Sequence, residues 1–277
     1  RGLRRRLRRH RVPRDSAIAG TRLHFRLRFP FSDAMALSTQ PNNLHDEPAY
    51  RASEVANILA LPLGTVKAWA FGQNYQYRDG RPKRFVKLIE AADAKRRYLS
   101  FTNLCELYIL SALRRSHRLP MPIVRDSLDH VSQKLGTIRP LVARQFLTNG
   151  LHLFYEEAGR LTNASLHGQE AMSGDFLRAL KRIERDQRGT PIRLFPLVTP
   201  SANVAGAADE PEGAVVIDPR MAFGRPALTR AGVTTQVIAD RFVAGDDPQE
   251  MADDYRVELA DVMEAIRFEL DSQRRSA

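Results

Sequence analysis

One cysteine in 277 residues, Cys105, leaves no internal disulfide framework and fits a reducing compartment. It sits in the apolar run LCELYIL, so an inert buried thiol is expected. No stretch of about 18 apolar residues is present, which excludes a conventional membrane helix. A Walker loop, GxGxxG, HExxH, paired CxxC and GxSxG are all missing, and the seven histidines are scattered. Asp126, Asp129 and His130 share a helical face but lack a fourth ligand at suitable spacing, so a solvated polar face is the expectation. No catalytic residue, metal site or cofactor is nominated, and a cytoplasmic, non-enzymatic protein is expected.

Acidic residues are scarce at one end only. The formal net charge is +11, yet residues 1–34 hold eleven arginines against two aspartates, a net of +9. The remaining 243 residues carry 32 basic and 30 acidic side chains, a net of +2. Basicity therefore belongs to the leader, and any argument for nucleic acid has to rest on a local cluster in the body. The leader reads as translated upstream sequence ahead of Met35, as a basic arm gripping phosphate, or as an organellar presequence.

The informative stretch is Tyr50 to Trp69, YRASEVANILALPLGTVKAW. Ser53 is a candidate N-cap, with Glu54 at the positive end of the helix it opens. Val55, Ala56, Ile58 and Leu59 give that helix an apolar face, and Pro62 forces a turn before a second helix. Val66 and Trp69 face inward on the second helix, leaving Leu63, Gly64, Thr65 and Lys67 outward. Two short helices across a tight turn are the helix-turn-helix pattern. Tyr75 to Tyr77, the pair Asp79-Gly80 and Phe85 to Ile89 predict a hairpin with a type I′ turn and a basic tip of Arg78, Arg81, Lys83 and Arg84. Tyr50, Val55-Ala56, Thr65-Val66 and Trp69 in this arrangement resemble the MerR-like winged DNA-binding domains. The resemblance implies that the second helix enters the major groove and the basic hairpin meets phosphates.

Beyond residue 97 the pattern predicts an apolar helix over Phe101–Leu113, capped by Ser100 and wide enough in its apolar face to belong in a core or at a subunit interface, with dimerisation expected through it. A second helix is predicted over Ile123–Leu135 and stopped by Gly136, then a short helix from Arg139-Pro140 to about Leu147. Leu151 to Glu156 and Leu161 to Ala164 read as a hairpin, Phe176 to Ile183 as a helix ending near Gly189, and Ile192 to Phe195 as a strand. Residues 198–212 are small and polar, the composition of a flexible linker. The expected division is a leader and lead-in at 1–47, a winged helix-turn-helix at 48–97, a mainly helical middle region with small hairpins at 98–197, the linker, and a three-helix unit at 213–277. The fold class expected is mainly α.

In the last unit Val215 to Ile217 predicts a strand, Phe223 to Pro226 a turn, and three helices follow, capped by Thr234 and by Asp247 with Pro248 at the first helical position. The third, with Asp261, Glu264, Glu269 and Asp271 against Arg267, is too acidic to lie on phosphate. The run VVIDPRMAFGRPALTRAGVTTQVIADRFVAGDDPQEMADDYRVELADVMEAIRFE, with LSFTNLCEL upstream, resembles the VapB-type antitoxins that carry a winged helix. The resemblance spans roughly residues 48–272, and Arg225 departs from the glycine or lysine often seen there. It implies a dimeric antitoxin that binds double-stranded operator DNA, represses its own promoter and neutralises a PIN-domain-like ribonuclease toxin. Arginines cluster in the turn region at Arg220, Arg225 and Arg230, and guanidinium groups suit the ring of metal-holding carboxylates of such a toxin, so Arg220 and Arg225 are expected toxin contacts, with solvated turn charges as the alternative. A MerR-like regulator that senses a small ligand and has no toxin partner is the competing expectation.

Overall fold

A two-residue strand, β1 (Tyr50–Arg51), is the first strand or helix among the described residues and leads directly into α1 (Ala52–Ile58). The computed structural model describes residues 43–76, 82–117, 119–162, 176–196 and 213–276. The leader, Arg78, Arg81, the Asp79-Gly80 pair and the stretch at 198–212 lie outside the described residues. Residues 41–277 form one compact unit.

The cap of α1 is Arg51, two residues earlier than Ser53. The Glu54 carboxylate accepts from the Arg51 backbone N–H at 2.6 Å, which satisfies one donor at the start of the first turn. Val55, Ala56 and Leu59 point into the core, and Ala60, at φ 50°, reverses the chain. Pro62 then precedes α2 (Leu63–Phe71), which buries Val66, Trp69 and Ala70. Strands β2 (Gln73–Gln76) and β3 (Pro82–Phe85) follow as an antiparallel hairpin, and β4 (Tyr98–Leu99) returns to pair with β1. The β1–β4 pairing closes these elements into a ring that the sequence pattern does not announce.

Helix α3 (Phe101–His117) is the centre of the molecule. Every residue from Phe101 to Leu113 is buried within the chain. The expected dimer interface on this helix is therefore excluded: its whole circumference is occupied by the fold. Its Asn103 is fully satisfied, accepting from the N–H groups of Ala92 and Ser100 and donating to the Glu90 carbonyl and the Glu106 carboxylate. These bonds tie the exit of the hairpin to the core.

Helix α4 (Met121–Leu135) ends at Gly136, φ 63°, and packs against α5 (Leu151–Thr162). Helix α5 overturns the hairpin expected at 151–164. Leu151, Phe154 and Ala158 recur at helical spacing and are all buried, while Gly159 is tolerated near the end of the helix. Ahead of it a 3-10 turn at Pro140–Val142 and a wide π turn at Phe146–Gly150 replace the single helix predicted from Arg139. The helix expected through Ile183 stops at residue 181, because β5 (Ile183–Arg185) pairs with β6 (Pro191–Leu194). Asp186 holds their connection by accepting from the N–H groups of Arg188 and Thr190.

The C-terminal part opens with β7 (Val215–Val216) paired to β8 (Ala227–Leu228). Three helices follow: α6 (Thr235–Ala244), α7 (Pro248–Tyr255) and α8 (Leu259–Ser276). Thr234 and Asp247 cap α6 and α7 as their sequences predict. A second hydrophobic cluster, with Val215, Ile238, Met251, Val262 and Ile266, fills this bundle. The bundle is also seated directly on the rest of the described chain. Helix α8 packs on α1, the Ser272 hydroxyl donates to the Asn57 carbonyl at 2.5 Å, and Ile217 lies in the first hydrophobic cluster beside Leu194.

Candidate nucleic-acid interface

Helix α2 has two faces set by its period. Val66, Trp69 and Ala70 anchor one, while Leu63, Gly64 and Lys67 are exposed on the other and Thr65 is half-buried at its edge. Leu63 is 39 % exposed, and the glycine beside it has open space where a Cβ would sit. A helix edge this bare allows close approach to a base edge or a sugar–phosphate chain.

The hairpin is hinged to α2 at a single residue. Gly72 has φ 76°, and a Cβ there would come within 2.9 Å of the Phe85 carbonyl oxygen. The Leu88 N–H donates to the Trp69 carbonyl at 2.7 Å, so the hairpin's exit returns to the helix it left. From α4, Arg125 stacks over the Phe85 ring at 4.6 Å and donates to the Val86 carbonyl at 2.7 Å. Arg97 lies over the Phe71 ring at 4.8 Å. These contacts fix the angle between helix and hairpin before any ligand arrives.

On the hairpin, Gln73 stands opposite Phe85, Asn74 opposite Arg84, Tyr75 opposite Lys83 and Gln76 opposite Pro82. The pairing is described as far as Gln76 and Pro82, and the predicted type I′ turn at Asp79-Gly80 lies outside the described residues. The first strand also begins two residues earlier than predicted, and the second ends at Phe85 where the sequence suggested it began. Arg84 is exposed, as are Gln73, Asn74, Tyr75 and Gln76. The amide side chains were missed in the sequence, although a run of polar and aromatic residues, QNYQY, was visible there. Amides and cations on one hairpin can both read base edges and neutralise phosphate.

Charge follows the same division. Residues 62–97 contain nine lysines and arginines against three acidic residues, whereas residues 240–271 contain eleven acidic residues against three arginines. One of those three, Arg241, is held by Asp246 and Asp254. The surface near α2 attracts phosphate and the α6–α8 bundle repels it.

Arg220 and Arg225 border a different feature. Asp218, almost fully buried, receives Arg193 at 3.0 Å and Arg220 at 3.1 Å. Burial alone would raise its carboxyl, but hydrogen bonds from the Arg220 side chain and backbone and from Arg193 outweigh this and hold it below the usual carboxylate range. Arg220 is thus partnered though 55 % exposed; Arg225 is exposed, and among the described residues its backbone N–H donates to the Ala222 carbonyl while its side chain makes no hydrogen bond. Between them Ala222, Phe223 and Gly224 all have positive φ, 48°, 55° and 75°. The Tyr50 hydroxyl donates to the Gly224 carbonyl at 2.8 Å, and a Cβ on Gly224 would land on that hydroxyl.

Among the described residues no group of three His, Cys, Asp or Glu side chains gathers as a metal site would. Nor is any described helix long and apolar enough to cross a membrane.

Comparison with known proteins places two stretches. Residues 48–128 match the family described as "Putative DNA-binding HTH domain", and residues 215–268 match "Protein of unknown function (DUF433)". The chain is 27 % identical over 245 residues to a Mycobacterium tuberculosis protein named "Putative antitoxin VapB45", covering 80 % of this chain and 95 % of that one. It is 23 % identical over 231 residues to Rv2308 of the same organism, described as uncharacterized, covering 80 % and 90 % respectively. The crystal structure of Rv2018, also from M. tuberculosis, shares the fold at a TM-score of 0.57 and 22 % identity, over 80 % of this chain and 98 % of that one.

Proposed function

We propose that this chain is a DNA-binding antitoxin that represses its own promoter and neutralises a PIN-domain-like ribonuclease. The observation that carries the reading is the bare, basic edge of α2 locked by Gly72 and Arg125 to an exposed amide- and arginine-bearing hairpin. The relative named as an antitoxin, matched over 95 % of its length, supports the antitoxin half of the reading.

In the DNA complex α2 enters the major groove with Thr65 and Lys67 nearest the bases and Leu63-Gly64 against the groove wall. The winged hairpin lies along the backbone, where Arg78, Arg81, Lys83 and Arg84 meet phosphate. Two copies bind one operator through a surface other than α3. The C-terminal part faces the ribonuclease, with Arg220 and Arg225 offering guanidinium groups to its carboxylates. Arg220 is held by Asp218, which favours its charged form, and its side chain is still 55 % exposed.

The test is a footprint of the purified protein on DNA from upstream of its own gene, together with titration of the adjacent gene product's ribonuclease activity. Protection of that DNA and stoichiometric loss of cleavage are expected. A protein that protects DNA while leaving cleavage intact would remove the antitoxin half and keep the regulator.

A further inference from the structure

Phe223 is 95 % exposed, the most exposed large apolar side chain among the described residues. It also sits in the left-handed region, where a phenylalanine is disfavoured, with its neighbours Ala222 and Gly224 in the same region. An aromatic ring gains nothing in the fold from such a place, and the backbone is strained to keep it there. The surrounding structure holds that strain from both sides. On one side Asp218, locked by Arg193 and Arg220, accepts the Met221 N–H at its backbone carbonyl. On the other, Tyr50 clamps the Gly224 carbonyl. Residues 219–239 contain three arginines, Arg220, Arg225 and Arg230, and no acidic residue.

We propose that Phe223 is the apolar anchor of a protein–protein interface, filling a hydrophobic pocket rimmed by carboxylates on the partner, with Arg225 and Arg220 pairing to that rim. This deepens the antitoxin reading and rests on it for the identity of the partner. An aromatic ring at the centre with arginines around it is the composition in which binding energy concentrates. Holding the ring in one position beforehand removes the ordering cost that a flexible loop would bear on association. Nucleic acid is the poorer occupant. Residues 213–277 carry twelve acidic against eight basic side chains, and eleven of the acids lie just beyond the arginine segment, where they repel a polyanion.

The experiment uses the full chain and the protein encoded beside it, with affinity read by isothermal titration and the melting temperature of each variant measured alone. Phe223→Ala is expected to weaken binding about tenfold or more, Phe223→Leu to retain most of it, and both to leave melting unchanged. Phe223→Gly, which relieves the left-handed strain, is expected to raise the melting temperature while binding as poorly as the alanine variant. If the unaltered chain fails to bind the neighbour, the antitoxin reading and the anchor fall together. Where it does bind and Phe223→Ala binds as well, only the anchor is lost. A fall in melting temperature of Phe223→Ala would make the ring a structural element, and loss of DNA affinity with partner binding intact would make it a nucleic-acid wedge. Either result overturns the proposal.

Discussion

The hydroxyl of Tyr50 donates to the backbone carbonyl of Gly224, 174 residues away, at 2.8 Å and out of contact with water. Tyr50 follows the lead-in to α1, and Gly224 ends the left-handed turn that presents Phe223. Burial raises the Tyr50 hydroxyl far above its ordinary range, so it stays protonated and remains a donor at any pH the protein meets.

Tyr50→Phe is expected to lower stability by about 1–3 kcal/mol, since it leaves a buried carbonyl without its donor. Gly224→Ala should cost at least as much, because its Cβ collides with the same hydroxyl and the residue needs φ 75°. Urea unfolding of both variants checks this, and equal stability to the parent would show that the clamp is not formed.

At the hinge of the hairpin, Gly72→Ala forces a Cβ toward the Phe85 carbonyl at a positive φ. A stability loss of about 1–3 kcal/mol is expected, together with weaker DNA binding, because the hairpin tilts away from α2. Denaturant melts and a DNA titration at one salt concentration separate the two effects.

In the proposed DNA complex the exposed cations Lys67 on α2 and Arg84 on β3 act through phosphate. Lys67→Ala and Arg84→Ala are each expected to reduce the slope of log affinity against log salt by about 1 and to leave melting unchanged. An unchanged slope for Arg84→Ala would take that strand off the DNA.

Glu106, buried on α3, is pushed up to about 7 by burial, against the opposing pull of Arg139 and the hydrogen bond from Asn103; Asp46 and Glu90 add to the rise. A carboxyl raised in the folded state is neutral there while the unfolded chain ionises. Stability therefore falls as pH rises from the unfolded value near 4.5 to about 7, and stays lowered above it. Glu106→Gln keeps an acceptor for Asn103 and should flatten this dependence, melting higher than the parent at pH 7.5 and like it at pH 4.5.

The helix-turn-helix was legible because Pro62, Val66 and Trp69 are local signals that burial then reinforces. Thr234, Asp247 and Gly136 marked helix ends for the same reason: a cap is read from one or two residues. Helix α5 was misread because Gly159 looked like a turn, whereas Leu151, Phe154 and Ala158 beneath α4 and the core decide the matter from a distance. The dimer interface on α3 failed similarly. A helix apolar all round fits a core or an interface equally well, and only the elements packed around it discriminate. Leu63, Gly64 and Lys67 were identified correctly as outward residues. Phe223 was not, since a lone phenylalanine before a glycine reads as ordinary turn filling.

The seam at Tyr50, Asn57, Ile217 and Ser272 bears on how such genes can recombine. The two matched stretches look like separable cassettes along the chain, yet each completes the other's surface. A chimera that joins the first stretch to a relative's second stretch inherits a mismatched seam unless the residues facing Tyr50 and α1 travel with it. On the proposed function, operator choice and partner choice are therefore expected to be inherited as a linked pair, with changes in one half admitted only as fast as the other can accommodate them.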